Sequence, residues 1–172
     1  MAHIITEYPQ FFTATNLEWK NALANDDHKD VIIRSLRFLV EDSRVIIYAF
    51  VIMPNHIHVV WQMQVEIKRE NVQRDFLKFT AQRIKDRMAL HEPDLLSQFL
   101  VNAKDRKYQI WERNPLSVDL WSEEVMMQKI RYIHENPVRK GMCAYPHHYK
   151  YSSALLYHTG VDNWGFLTHI RD

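Results

Sequence analysis

The stretch Arg44-Val45-Ile46-Ile47-Tyr48-Ala49-Phe50-Val51-Ile52-Met53-Pro54-Asn55-His56-Ile57-His58-Val59-Val60-Trp61-Gln62-Met63 decides the fold. Its first ten residues are dense in β-branched and aromatic side chains, which suits a strand buried on both faces. Pro54-Asn55 is a turn signal. His56–Met63 is then a second strand, and the two form a hairpin. Working outward, Gln10–Thr15 (QFFTAT) is short and β-prone and reads as a first strand. Asn16 is placed to cap a short helix through Asn25. Between Asp30 and Asp42 the residues Ile32, Leu36, Leu39 and Val40 recur at helical spacing, so an amphipathic helix is predicted.

Beyond the hairpin, Arg69 to about Leu90 is a long charged helix whose apolar side is Phe76, Phe79, Ile84 and Met88. Glu92-Pro93-Asp94 breaks it, and a short helix can follow before Asp105. Tyr108–Trp111 and Leu116–Leu120 read as extended around Asn114-Pro115. Ser122 opens a further helix that Asn136-Pro137 should close, with Lys140-Gly141 ending the turn beyond. A last helix is expected near Ser152–His158. The order strand, helix, strand, strand, helix, strand, helix implies an α+β fold. It is that of a ferredoxin-like, split βαβ antiparallel sheet with helices on one face and an added C-terminal helix.

Composition removes whole classes of function. The chain has 172 residues, 47% hydrophobic, enough to bury a core as one domain. No apolar run is long enough to span a bilayer, and Met1–Glu7 lacks a signal-peptide pattern, so a cytoplasmic location without membrane contact is expected. One cysteine, Cys143, precludes an internal disulfide and a cysteine zinc cluster. Three glycines leave no glycine-rich phosphate cradle, which excludes P-loop and dinucleotide-binding enzymes. The net charge of +1 argues against a nucleic-acid partner when taken alone. It conceals two basic segments, however. Residues 65–90 hold seven basic and four acidic groups, and residues 129–150 hold five and one. Both are expected to flank the site described next.

Side chains alternate across a sheet, so His56 and His58 emerge on one face while Ile57 points to the packed one. Two imidazoles so placed can share a metal ion, or can simply be half-exposed strand histidines. Tyr132 and Asn136 are four apart on a helix and share a face. His134 and Glu135 project elsewhere and read as surface or packing residues. Together, two imidazoles and an amide oxygen make a three-ligand site with open positions, suited to Mg²⁺ or Mn²⁺ also bound by a phosphate oxygen. Tyr132 would then be within reach of that phosphate. A zinc site would call on one of His91, His147 or His148 as a further ligand.

The residues 48–60 (YAFVIMPNHIHVV) resemble the signature of the HUH single-tyrosine transposases. Residues 130–141 (IRYIHENPVRKG) resemble its REP-associated tyrosine transposase branch, and Tyr149–Ala154 resembles the entrance to that branch's C-terminal helix. With QFFTAT, the resemblance spans nearly the whole chain. It implies a single HUH transposase-like domain over 1–172, with a catalytic core of about 8–145 and a C-terminal extension of 146–172. It implies a metal-dependent endonuclease and strand transferase that cuts single-stranded DNA at or near a hairpin through a 5′-phosphotyrosine. His56, His58 and Asn136 would be the metal ligands and Tyr132 the nucleophile. Either a homodimer or a monomer is compatible with the resemblance. The stretch Arg113–Asp119 departs from the family pattern, which leaves Asp119 without an assigned role.

DNA must be held by cations and its unpaired bases by stacking. The candidate contacts are Lys68, Arg69, Arg74, Lys78, Arg83, Lys85 and Arg87 on the long helix. On the second basic segment they are Lys129, Arg131, Arg139, Lys140 and Lys150. Trp61 and Trp111 could stack bases, but at strand positions they read as core. Two other functions fit the residues: a non-catalytic ferredoxin-like nucleic-acid binder, and a zinc-dependent hydrolase.

Overall fold

A computed structural model describes residues 7–172. The reading of the N-terminal segment therefore lies mostly outside the described residues. Four strands form one antiparallel sheet in the order β2-β3-β1-β4: β1 Gln10–Thr15, β2 Val45–Ile52, β3 His56–Met63 and β4 Leu116–Asp119. The helices are α1 Asp26–Glu41, α2 Arg69–His91, α3 Pro93–Ser97, α4 Glu123–Arg139 and α5 Ala154–Thr159. The predicted α+β order is present. No helix among the described residues is long and apolar enough to cross a membrane.

The sheet is packed on both faces, which explains its nearly continuous apolar strands. Phe12, Ile57, Val59 and Trp61 point down against Ile32 and Leu36 of α1 and Phe76, Ile84 and Met88 of α2. Trp61 stacks on Phe12 with ring centroids 4.9 Å apart, and Trp111 donates its indole N–H to Thr80 Oγ1 at 3.1 Å, so both tryptophans are core as expected. Phe11, Ala49, Val51 and Val60 point up against Met126, Ile130 and Ile133 of α4. The register of β2 on β3 shifts between Ile47 and Ala49. The extra residue reverses the phase of β2, so Val45 and Ile47 face the lower core together with Phe50 and Ile52.

The C-terminal segment closes the outer edge of β2, which would otherwise present unpaired backbone. Ser153 N–H donates to the Phe50 carbonyl, Thr168 N–H to that of Ile47, and Tyr157 Oη to that of Tyr48.

Four local expectations are corrected. Only a single 3-10 turn, Leu17–Trp19, stands where a helix from Asn16 was expected. Asn25 instead caps α1, accepting from Asp27 N–H at 2.8 Å, so that helix begins at Asp26 rather than Asp30. Tyr108–Trp111 forms no strand but only isolated bridges, Leu100 with Tyr108 and Asn16 with Trp111. Finally, α4 runs through Pro137 to Arg139. A proline there forfeits only the bond to the Ile133 carbonyl, and Gly141, just past the Lys140 C-cap, turns the chain away with φ +71°.

Candidate metal and phosphate site

The candidate site lies on the upper face of the sheet, between β3, β1 and α4. Antiparallel pairing sets Thr13 opposite His58 and Thr15 opposite His56. His56, His58 and Asn136 are buried, whereas Tyr132 is 47% exposed at the rim. The two imidazoles are 4.8 Å apart between centroids, and His58 lies 5.8 Å from the Tyr132 ring. The four residues singled out in the sequence are thus brought together from a strand and a helix.

Hydrogen bonds hold both histidines at Nδ1. His56 Nδ1 is 2.8 Å from Asn55 Oδ1, while Asn55 Nδ2 donates to the Trp19 carbonyl at 3.4 Å. An amide oxygen only accepts, so the His56 hydrogen is on Nδ1 and the lone pair on Nε2. His58 Nδ1 is held 2.7 Å from Thr13 Oγ1, a hydroxyl that can accept from it; with the ring hydrogen there, His58 Nε2 carries the lone pair. Such outer partners are how proteins aim imidazoles at a metal. Asn136 Nδ2 meets His56 Nε2 at 3.1 Å. Half a turn of that amide exchanges Nδ2 for Oδ1 and puts an acceptor oxygen beside the free imidazole nitrogens.

The electrostatics suit a ligand set. Burial, then the charge of Lys140, lowers the His56 pKa to about 4. Burial, then His56, Arg139 and Lys129, lowers that of His58 to about 3. Both rings are therefore neutral at pH 7, as a metal ligand must be. No cluster of three or more histidine, cysteine or carboxylate side chains able to hold a metal occurs among the described residues. The donor set is two nitrogens and an amide oxygen, which fits a divalent cation completing its shell with phosphate or water oxygens. A zinc centre built from a third histidine finds no support in this geometry.

Around Tyr132 the field is positive. The Arg139 guanidinium lies 4.5 Å from the ring centroid and donates to the Tyr132 carbonyl at 2.9 Å. Lys129 Nζ lies 5.8 Å from the same centroid and 5.1 Å from that of Phe11. Lys140 is exposed at the C-cap of α4, where its charge reaches His56, and Arg131 is exposed at mid-helix. Of the second basic segment, Lys129, Arg139 and Lys140 flank the site, whereas Lys150 lies over the Tyr151 ring.

The first basic segment does not flank it. Helix α2 packs under the sheet, so Arg74, Lys78 and Arg83 lie on the opposite side from the histidines. Arg74 pairs with Asp75, Arg87 with Asp27, and Arg83 lies over Phe79. Arg69 reaches the β4 edge, 3.8 Å from Asp119, which also accepts from Gln10 Nε2 at 3.2 Å. Asp119 thus clamps the β4 edge to β1 and α2. His134 is buried as a packing residue, 2.6 Å from Ser153 Oγ.

Sequence reasoning overlooked Thr13, Asn55, Phe11 and Trp19. Phe11 stacks on His58 at 5.0 Å and Trp19 meets His56 edge-on at 5.8 Å. The signal for Thr13 was available: pairing QFFTAT antiparallel to the HxH strand puts one threonine against each histidine.

No protein-family profile matches the chain, and no curated protein does. Solved structures do. A REP-associated tyrosine transposase bound to a REP hairpin aligns over 100% of this chain and 94% of its own, with a TM-score of 0.66 at 16% identity. A candidate transposase from Deinococcus radiodurans R1 aligns over 78% of this chain and 95% of its own, with a TM-score of 0.53 at 13% identity. The chain has the fold of these transposases.

Proposed function

We propose that the protein is a REP-associated tyrosine transposase of the HUH type, which cleaves and rejoins single-stranded DNA beside a hairpin. The observation that carries the reading is the convergence of His56, His58, Asn136 and Tyr132 on one patch of the sheet. The likeness to a transposase that binds a REP hairpin supports the choice of substrate.

His56, His58 and Asn136 would hold Mg²⁺ or Mn²⁺. When bound, the cation would polarise a non-bridging phosphate oxygen and offset charge on the reacting phosphoryl group. Tyr132 supplies the nucleophile: its phenolic oxygen forms a bond to phosphorus as the bond to the 3′ oxygen breaks. The phenol's proton ends, in net terms, on the released 3′-hydroxyl. A 5′-phosphotyrosine results, and because one phosphoester has replaced another, a 3′-hydroxyl can reverse the reaction without a nucleotide cofactor. Arg139 and Lys129 hold the phosphodiester against the Tyr132 ring, and burial of the histidines keeps them free of protons.

Incubating the chain with hairpin oligonucleotides bearing randomised single-stranded flanks and Mn²⁺ should give a protein–DNA adduct that survives boiling in detergent. Binding without any adduct under Mg²⁺ or Mn²⁺ would leave a non-catalytic nucleic-acid binder instead.

A further inference from the structure

Beside the candidate metal site, the chain makes a strained turn. Glu18 has φ 52° and Trp19 φ 58°. Isolated left-handed residues such as Ser43 or Asn114 occur in this fold, but Glu18–Trp19 is the one consecutive non-glycine pair among the described residues. A bulky aromatic in this region is strained, and such strain persists only where surrounding contacts over-determine it. Here they do. Glu18 N–H donates to Glu112 Oε1 at 2.6 Å, Trp19 N–H to the Asn16 carbonyl at 3.0 Å, and Asn55 Nδ2 to the Trp19 carbonyl.

The strain does not serve packing, because Trp19 is 62% exposed. It holds the indole at the rim, edge-on to His56 and 5.8 Å from it between centroids. The Asn55 side chain couples the two, its Oδ1 to His56 and its Nδ2 to the Trp19 backbone. One amide thus ties the Trp19 backbone to the His56 imidazole. An exposed indole offers a face on which any unpaired base can stack, and stacking of this kind tolerates sequence.

We infer that Trp19 is a stacking platform for an unpaired nucleobase of single-stranded DNA, next to the phosphate that the His56–His58 pair addresses. The inference rests on the proposed function for its ligand class, but not on catalysis. The sugar–phosphate backbone crosses the site under Lys129 and Arg139, and one base turns out over Trp19, which fixes the register of the strand relative to Tyr132.

Three variants are compared for binding to fluorescein-labelled dT12. Trp19→Ala is expected to weaken binding about tenfold and Trp19→Phe only slightly, since the smaller ring still stacks. Trp19→Gly should also weaken binding about tenfold while raising the melting temperature, because glycine relieves the positive φ. That opposition separates a ligand role from a structural one. Illumination of the wild-type protein on a 5-iodouracil version of the strand should join DNA to the Trp19 peptide. Unchanged dT12 affinity in Trp19→Ala, or cross-links that never include Trp19, would overturn the inference. These readouts need no cleavage, so failure of the hairpin-adduct assay would refute the proposed function while leaving the stacking result legible.

Discussion

Asn136 Nδ2 stands 3.1 Å from His56 Nε2, across 80 residues of chain, and both atoms are buried. Helix α4 delivers one and the inner strand β3 the other. The pairing ties the tyrosine-bearing helix to the HxH strand at the point where a cation would sit. Removing a ligand should therefore cost metal before it costs the fold. By electron paramagnetic resonance of free Mn²⁺, His56→Ala or His58→Ala should abolish binding, and Asn136→Ala should weaken it at least tenfold. Equal Mn²⁺ affinity in His58→Ala would remove the metal site from the account.

Asn55 and Thr13 hold the imidazoles at Nδ1 and would not themselves touch a bound cation. Asn55→Ala and Thr13→Val should each weaken Mn²⁺ binding about 10- to 100-fold while leaving the folded state intact by circular dichroism. Because His56 and His58 hold protons only below pH values of about 4 and 3, Mn²⁺ affinity should stay flat as pH is lowered from 8 to about 5.

Acid should destabilise the protein through His56 and His58 and, apart from the candidate ligands, through His134. Burial lowers its pKa to about 4, against an ordinary value of 6.5. The unfolded chain then takes up a proton first as pH falls below 6.5, so stability is lost between there and about 4 and is unaffected above. The loss attributable to this one group at pH 5 is about 2 kcal/mol. Urea midpoints measured from pH 7 to pH 5 should fall, and His134→Gln, though less stable at pH 7, should show a shallower decline.

The two basic segments should behave differently toward DNA. Lys129→Gln should reduce the slope of log affinity for dT12 against log salt by about 0.7, the value for one phosphate contact on a single strand. Arg74→Gln and Lys78→Gln, under the sheet, should leave the slope unchanged. A larger effect from the α2 variants would place the DNA on the wrong face of this account.

Most of the topology was legible because each element carries a one-dimensional signal. The alternation of His56, Ile57 and His58 fixes which face each residue takes, and the i, i+4 spacing of Tyr132 and Asn136 does the same on α4. What was not legible depends on tertiary context. Charge counting could not tell that α2 lies beneath the sheet, since its basic residues and those of α4 look alike in sequence. The Glu18–Trp19 turn was hidden because its backbone is dictated by Glu112 and Asn55, distant partners, against local preference. Pro137 reads as a helix stop by its own chemistry, yet one lost bond in the last turns of α4 is outweighed by the packing of Ile130 and Ile133.

The central claim is that Tyr132 attacks a DNA phosphate. The most direct measurement is tandem mass spectrometry of the nuclease-trimmed adduct formed with hairpin oligonucleotides and Mn²⁺. The account predicts a nucleotide attached through its 5′-phosphate to Tyr132 in the wild-type chain, and no adduct in Tyr132→Phe. An adduct on any other residue, or one that persists in Tyr132→Phe, would contradict it.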